Sequence, residues 1–179
     1  MQQDGCNKTC GNSFAQLQLR REVAMAEERS DILMSDKDYS AFFCDPVLTE
    51  KYPDVKLPAP TYLAHEGKIL SFESGERISV AFPVSESQTN PVGTLQGGIL
   101  SSFFDDAFGC LCFASLRKPC VTIDMTVNFI RSVKPGSFVV IHAVFKARGK
   151  KLLQVSAEAV NDNKKLVATA KSNWMVYGS

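Results

Sequence analysis

The feature that most constrains the fold is one long apolar segment with helical periodicity, residues 97–116. On a helical wheel at about 100° per residue, its apolar side chains gather on one face. That face consists of Leu100, Phe104, Ala107, Phe108 and Leu111, with Phe103 at its flank. The segment predicts a single long helix whose aromatic face packs against a core.

Segments with strand periodicity lie on both sides of this helix. Residues 67–84 hold two strand patterns around a turn at Ser74-Gly75. Four more occupy residues 120–177, and turns at residues 148–150 and 161–163 separate the last three. Because short turns join antiparallel neighbours, the order predicts an α+β domain with one helix against an antiparallel sheet of about six strands.

The first 60 residues have a different character. Residues 13–34 mix charges with a loose helical pattern, and residues 54–60 are rich in proline. We interpret residues 1–60 as an N-terminal helical extension and linker that carries no recognisable chemistry. Residues 61–179 are predicted to form the folded domain.

Composition and charge exclude several classes of protein. Of 179 residues, 45% are hydrophobic and 22% charged, as in a typical globular protein, and the net charge is +1. This charge argues against nucleic-acid or polybasic membrane contacts. No signal peptide and no run of roughly 18 apolar residues is recognisable, so we expect a cytoplasmic protein without membrane partners. The six cysteines are expected to be free core thiols, and no metal site is predicted.

The helix is predicted to begin at Gly97-Gly98, where glycine lets another group approach the backbone. The first N–H groups of a helix lack intrahelical partners and favour negative charge. The surrounding sequence GTLQGGIL lacks the Gly-Lys-Ser/Thr ending of a P-loop and the strand context of a dinucleotide fingerprint. The remaining interpretation is an oxyanion hole, in which N–H donors stabilise a carbonyl oxygen as it becomes charged.

Two adjacent carboxylates lie in the middle of this helix, and residues 90–116 contain no Lys, Arg or His. The carboxylates belong to a face of small and acidic residues that differs from an ordinary solvent-exposed face. That face consists of Ser102, Asp105, Asp106, Gly109 and Phe113. We expect a second subunit to cover it.

A carboxylate can activate water or attack a carbonyl directly, and both roles stay open for Asp105. A Ser-His-Asp triad is poorly supported, since the chain has no GxSxG motif and only two histidines, His65 and His142. Asp105 lies eight residues after Gly97, about 12 Å along one helix. One carbonyl can contact both groups only if Asp105 of one chain faces Gly97 of another.

Two stretches, NPVGTLQGGILSSFFDDAFG at residues 90–109 and VTIDMTVNFIRSVKPG at residues 121–136, strongly resemble the hotdog-fold acyl-CoA thioesterases of the phenylacetic-acid-degradation and human thioesterase-superfamily-2 type. The resemblance covers residues 65–177. It implies a hotdog fold, in which a curved antiparallel sheet wraps a long central helix. It also implies an active unit of two chains, as a homodimer or a dimer of dimers.

The resemblance implies roles for individual residues. Asp105 corresponds to the general base or nucleophile, and the Gly97 N–H polarises the thioester carbonyl from the partner chain. Asn90 corresponds to a residue that holds the thioester or the water, and Thr122 to a hydroxyl residue that positions water.

The chain departs from the family pattern at two positions. The family usually has His where this chain has Gln96, and Pro where this chain has Ser132. Gln96 can orient the loop but cannot titrate. We assign Gln96 and Gly98 to substrate binding.

The predicted function is hydrolysis of an acyl-CoA thioester to a carboxylic acid and CoA, without a metal or redox cofactor. The alternative from another class is a non-catalytic acyl-CoA-binding hotdog module, which Gln96 and the N-terminal extension favour slightly and the retained Asp105 disfavours. A hotdog dehydratase normally needs a histidine near the helix, and none is predicted there. A DNA-reading protein would need a basic arm, which the mixed charges of residues 1–60 do not provide.

Overall fold

The computed structural model describes residues 50–177, so the predicted helices in residues 13–34 lie outside the described residues. The elements, in chain order, are α1 (Pro60–Ala64), β1 (Lys68–Glu73), β2 (Arg77–Pro83), a 3-10 turn (Glu86–Gln88), α2 (Gly97–Leu116), β3 (Cys120–Phe129), β4 (Phe138–Arg148), β5 (Leu152–Asn161) and β6 (Leu166–Val176). The predicted long helix and the six predicted strands are confirmed.

All six strands form one antiparallel sheet with the order β1-β2-β4-β5-β6-β3. The expectation that short turns join sheet neighbours is correct for β1-β2 and for β4-β5-β6. It does not extend to β3 and β4, because residues 130–137 form a longer connection that leads the chain past the start of α2. In this connection the Arg131 N–H bonds the Val167 carbonyl oxygen, and the Leu95 N–H bonds the Val133 carbonyl oxygen. β3 therefore pairs with β6 and is an edge strand.

α2 packs on one face of the curved sheet and forms the centre of the core. All six residues predicted for its core-facing side are buried: Leu100, Phe103, Phe104, Ala107, Phe108 and Leu111. The β2 residues Ile78, Val80 and Phe82 are buried in the same core, and Ala81 on the other face of β2 is buried in a second, smaller cluster. By length and hydropathy alone α2 could cross a membrane, but 61% of its apolar stretch is buried within the domain, as in a core helix.

The end of the predicted linker packs on this core as well. Tyr52, Leu57 and Ala59 are partly buried against it. In α1, which follows, the Tyr62 side chain is buried and its ring lies edge-on to the Phe82 ring, with 6.1 Å between centroids. Contacts of Thr61 and His65 with Asp106 fix α1 beside α2.

Candidate active site

The loop before α2 is organised by the side chain of Asn90. Its Oδ1 accepts hydrogen bonds from the N–H groups of Val92 and Thr94, both at 3.1 Å, and its Nδ2 donates to Thr94 Oγ1 at 3.0 Å. Gly93 within the loop has a φ of 73°, a left-handed conformation that glycine adopts without strain. The Asn90 amide thus fixes the loop that leads to Gln96, and its predicted contact with substrate stays a prediction.

Gln96 is the N-cap residue of α2. Its Oε1 accepts the Ile99 N–H at 2.9 Å, and its carbonyl oxygen accepts the Leu100 N–H at 3.0 Å. The N–H groups of Gly97 and Gly98 have no hydrogen-bond partner among residues 50–177. Gly97 is half-buried and Gly98 is exposed, so a ligand could reach these donors. The helix start therefore has the free donors that an oxyanion hole requires.

Replacing Gln96 by Ala should lower the free energy of unfolding by about 1 kcal/mol, because the Ile99 N–H loses its cap. Urea-induced unfolding followed by circular dichroism would measure the change. Gln96→Asn is the matched control, since Asn is a preferred N-cap residue and should keep the stability close to that of the wild type. Equal losses in both variants would contradict the capping role.

Asp105 and Thr122 are in direct contact. Thr122 Oγ1 on β3 donates a hydrogen bond to Asp105 Oδ1 on α2, with 2.6 Å between the oxygens. Asp105 is half-buried, and the β3 ladder changes register between Thr122 and Asp124. Two of the four residues predicted to be catalytic are thus brought together between the helix and the edge strand.

The neighbouring carboxylate, Asp106, has different surroundings. Its Oδ1 accepts a hydrogen bond from Thr61 Oγ1 at 2.8 Å, and its Oδ2 lies 2.7 Å from His65 Nδ1. The His65 ring also lies edge-on to the Phe103 ring, with 5.0 Å between centroids. Burial raises the pKa of Asp106 above its usual range, although the hydrogen bonds from His65 and Thr61 oppose the change. Asp106 therefore anchors α1 to α2.

Two expectations are corrected by these contacts. The small and acidic face of α2 is covered in part by its own chain, since α1 covers Asp106 and the Trp174 ring of β6 lies 3.4 Å from the position of a Cβ on Gly109. The expectation that no histidine lies near the helix is also wrong, because α1 brings His65 to Asp106. The contacts of Thr61 and His65 with Asp106 have no local signal in the sequence, since these residues precede Asp106 by 45 and 41 positions.

The remaining candidate residues are His142 and the described cysteines. His142 on β4 contacts Ser79 of β2 at 2.9 Å, on the strand face opposite the buried Ile141. Among the described cysteines, Cys110 and Cys112 are buried and form no disulfide, and burial raises the pKa of Cys120 to about 11. Within residues 50–177 there is no group of three or more His, Cys, Asp or Glu residues that could hold a metal ion.

The six-stranded antiparallel sheet wrapped on one central helix defines a hotdog-fold protein, and comparisons with known proteins extend this assignment. The model of the family described as Thioesterase superfamily matches residues 92–168. A protein of Saccharolobus solfataricus named as an esterase is 35% identical over 98 residues, which make up 54% of this chain and 64% of that protein. Acyl-coenzyme A thioesterase 13 of Mus musculus is 30% identical over 98 residues, or 54% of this chain and 70% of that protein.

A solved structure is also similar to this chain. A phenylacetic acid degradation-related protein of Ralstonia eutropha is 28% identical, with a TM-score of 0.62 over 72% of this chain and 98% of that chain. The chain belongs to the thioesterase superfamily. It spans just under two thirds of the length of the Saccharolobus relative. The predicted fold and family are confirmed, and the relatives support the predicted class of thioester hydrolase.

Proposed function

We propose that this protein is an acyl-CoA thioesterase, that its active site is built across a homodimer, and that it acts in the cytoplasm without a metal or redox cofactor. The observation that carries the proposal is the hydrogen bond from Thr122 Oγ1 to Asp105 Oδ1. The bond orients a half-buried carboxylate and leaves its other oxygen for chemistry. The relative named acyl-coenzyme A thioesterase 13 supports acyl-CoA as the substrate.

In the proposed reaction, a water molecule attacks the thioester carbonyl carbon while Asp105 takes a proton from it as general base. The N–H of Gly97, with that of Gly98 beside it, stabilises the negative charge on the carbonyl oxygen. The C–S bond then breaks, and the departing thiolate takes the proton from Asp105. In the nucleophilic alternative, Asp105 attacks the carbon directly and the C–S bond breaks, which releases the CoA thiolate and leaves a mixed anhydride. Water then hydrolyses this anhydride to the carboxylic acid and the free Asp105 carboxylate.

A second chain is needed because Asp105 and Gly97 of one chain are about 12 Å apart along α2. The edge strand β3 supports such a partner, since its outer edge has no neighbouring strand within residues 50–177. Val121, Ile123 and Ile130, on and just after this strand, are large apolar residues that remain exposed. We infer a two-fold dimer in which Asp105 of one chain faces Gly97 of the other. A dimer of dimers would preserve the same site.

The test of this function is thiol release from a panel of short, long and aryl acyl-CoAs, with enoyl-CoA hydration measured beside it. Turnover of at least one acyl-CoA is the expected result. An acyl-CoA that binds but stays intact for hours would instead support the non-catalytic module. Hydration without thiol release would support a dehydratase, for which the contact between His65 and Asp106 is the relevant observation.

The dimeric site can be tested by mixing two inactive variants. Asp105→Asn removes the base, and Gly97→Pro removes the N–H donor at a helix position that tolerates proline, after a residue with an extended backbone. Gly97→Ala adds a Cβ but keeps the N–H, so it should lose much less activity than Gly97→Pro. Co-expression of Asp105→Asn and Gly97→Pro should restore about a quarter of the wild-type activity, because half of the dimers would contain one intact site. Absence of restoration, or a fully active monomer, would contradict the shared site.

A further inference from the structure

Phe129, the last residue of β3, is an exposed aromatic residue that contacts the start of α2. The residue is 56% exposed, although its partner on β6, Ala168, is buried. The tip of its ring faces the helix. The ring atoms Cζ, Cε2 and Cε1 lie 3.2, 3.5 and 3.6 Å from the position that a Cβ on Gly97 would occupy.

A side chain at residue 97 would crowd this ring. Gly97 lies in the first turn of α2 and does not have the positive φ that would require glycine for backbone reasons. Alanine is the more favourable residue in a helix, so the absence of a side chain has another cause. At 3.2 Å a Cβ would displace the Phe129 ring by a few tenths of an ångström. Glycine at this position leaves the space that the ring occupies.

The ring also lies beside a free donor. The Gly97 N–H has no partner among the described residues, and the Phe129 ring covers one side of the same residue. A flat apolar surface at this point limits the directions from which an acceptor can approach, and it excludes water from that side. A thioester group is planar and weakly polar, which suits a position against an aromatic ring.

We propose that Phe129 is a substrate-positioning residue of the thioester site, and that its ring directs the thioester carbonyl to the Gly97 N–H. This inference rests on the proposed function, because it assumes that the Gly97 N–H receives a thioester. It adds a residue of β3 that contacts the donor side of the site, whereas Thr122 of the same strand contacts the carboxylate side. In the proposed dimer, β3 of one chain would then position the donor side of a site, and β3 of the other chain the carboxylate side.

A double-mutant cycle tests the inference with Phe129→Leu, Gly97→Ala and the combined variant, assayed by thiol release from the best acyl-CoA of the panel. Each single variant should lower kcat about tenfold and leave KM nearly unchanged, because a small displacement of the reacting group mainly affects the chemical step. The combined variant should lose about tenfold rather than a hundredfold, since both changes act through the same ring.

The controls separate positioning from folding and assembly. Leu152→Ala removes a similarly exposed apolar side chain from β5 and should leave kcat unchanged. Thermal unfolding and sedimentation of Phe129→Leu should match the wild type, and its kcat should not depend on protein concentration. If the wild type is active and the two losses in kcat multiply in the combined variant, this inference alone would be overturned. A wild type without thiol release would overturn the proposed function and this inference together.

Discussion

Asp105→Asn should lower kcat for thioester hydrolysis by about 10²- to 10⁴-fold, the range that general-base catalysis contributes. Asn has nearly the shape of Asp, and its Oδ1 can still accept the hydrogen bond from Thr122. The contact between α2 and β3 is therefore retained, whereas the ability to take a proton from water or to attack the carbonyl is lost. Thiol release at saturating acyl-CoA would measure kcat, and isothermal titration would show that the substrate still binds.

The matched control for this variant is Asp162→Asn, which changes a carboxylate in the turn between β5 and β6. It should keep wild-type kcat and stability. If Asp105→Asn kept kcat within twofold of the wild type, Asp105 would be neither the base nor the nucleophile. An unfolded Asp105→Asn protein is not expected, since the side chain is only half-buried.

Asp106→Ala should produce the largest loss of stability, about 2–3 kcal/mol in the free energy of unfolding. The substitution leaves the His65 ring nitrogen without its partner in a site where the ring is only 13% exposed, and it removes the hydrogen bond from Thr61. Chemical denaturation at neutral pH would measure the loss. Asp106→Asn is the matched control, because its amide oxygen and nitrogen can contact Thr61 and His65 in place of the carboxylate. A loss in Asp106→Ala no larger than in Asp106→Asn would contradict the anchoring role.

The same residue predicts a pH dependence. Burial raises the pKa of Asp106 in the folded state above the ordinary value of 3.8, so the folded protein binds this proton more tightly than the unfolded chain does. The contribution of Asp106 to stability therefore falls as pH rises from about 4 through the raised folded pKa, and then becomes constant. Between these limits the wild type should lose stability relative to Asp106→Asn, which has no proton to release. Urea unfolding of both proteins across this pH range would measure the difference, and parallel curves would contradict it.

The elements of the fold were predictable because their signals are local. The apolar face of α2 follows from a spacing within 20 residues, and the hairpin of β1 and β2 follows from a turn at Gly75, which has a φ of 76°. The position of β3 was not predictable in this way. Its partner, β6, begins almost 40 residues after β3 ends, and pairing over such a distance depends on the whole sheet.

The features of the candidate site also differ in whether a local sequence signal predicts them. The capping of α2 by Gln96 and the free N–H of Gly97 follow from the start of one helix, which a sequence pattern can indicate. The contact between Thr122 and Asp105 joins a strand to a helix and was expected only through the resemblance to a family. The contact between His65 and Asp106 was missed, because nothing near either residue in the sequence indicates it.

The anchoring of α1 by Asp106 has a consequence for where the smallest independently folding unit begins. The family match starts at residue 92, and the strands of the sheet start at Lys68. A protein trimmed to either boundary would lack Thr61 and His65, so the Asp106 carboxylate would lose both of these hydrogen-bond partners. That carboxylate is adjacent in sequence to Asp105. Removal of Thr61 and His65 would therefore affect the middle of the central helix, far along the sequence from the cut.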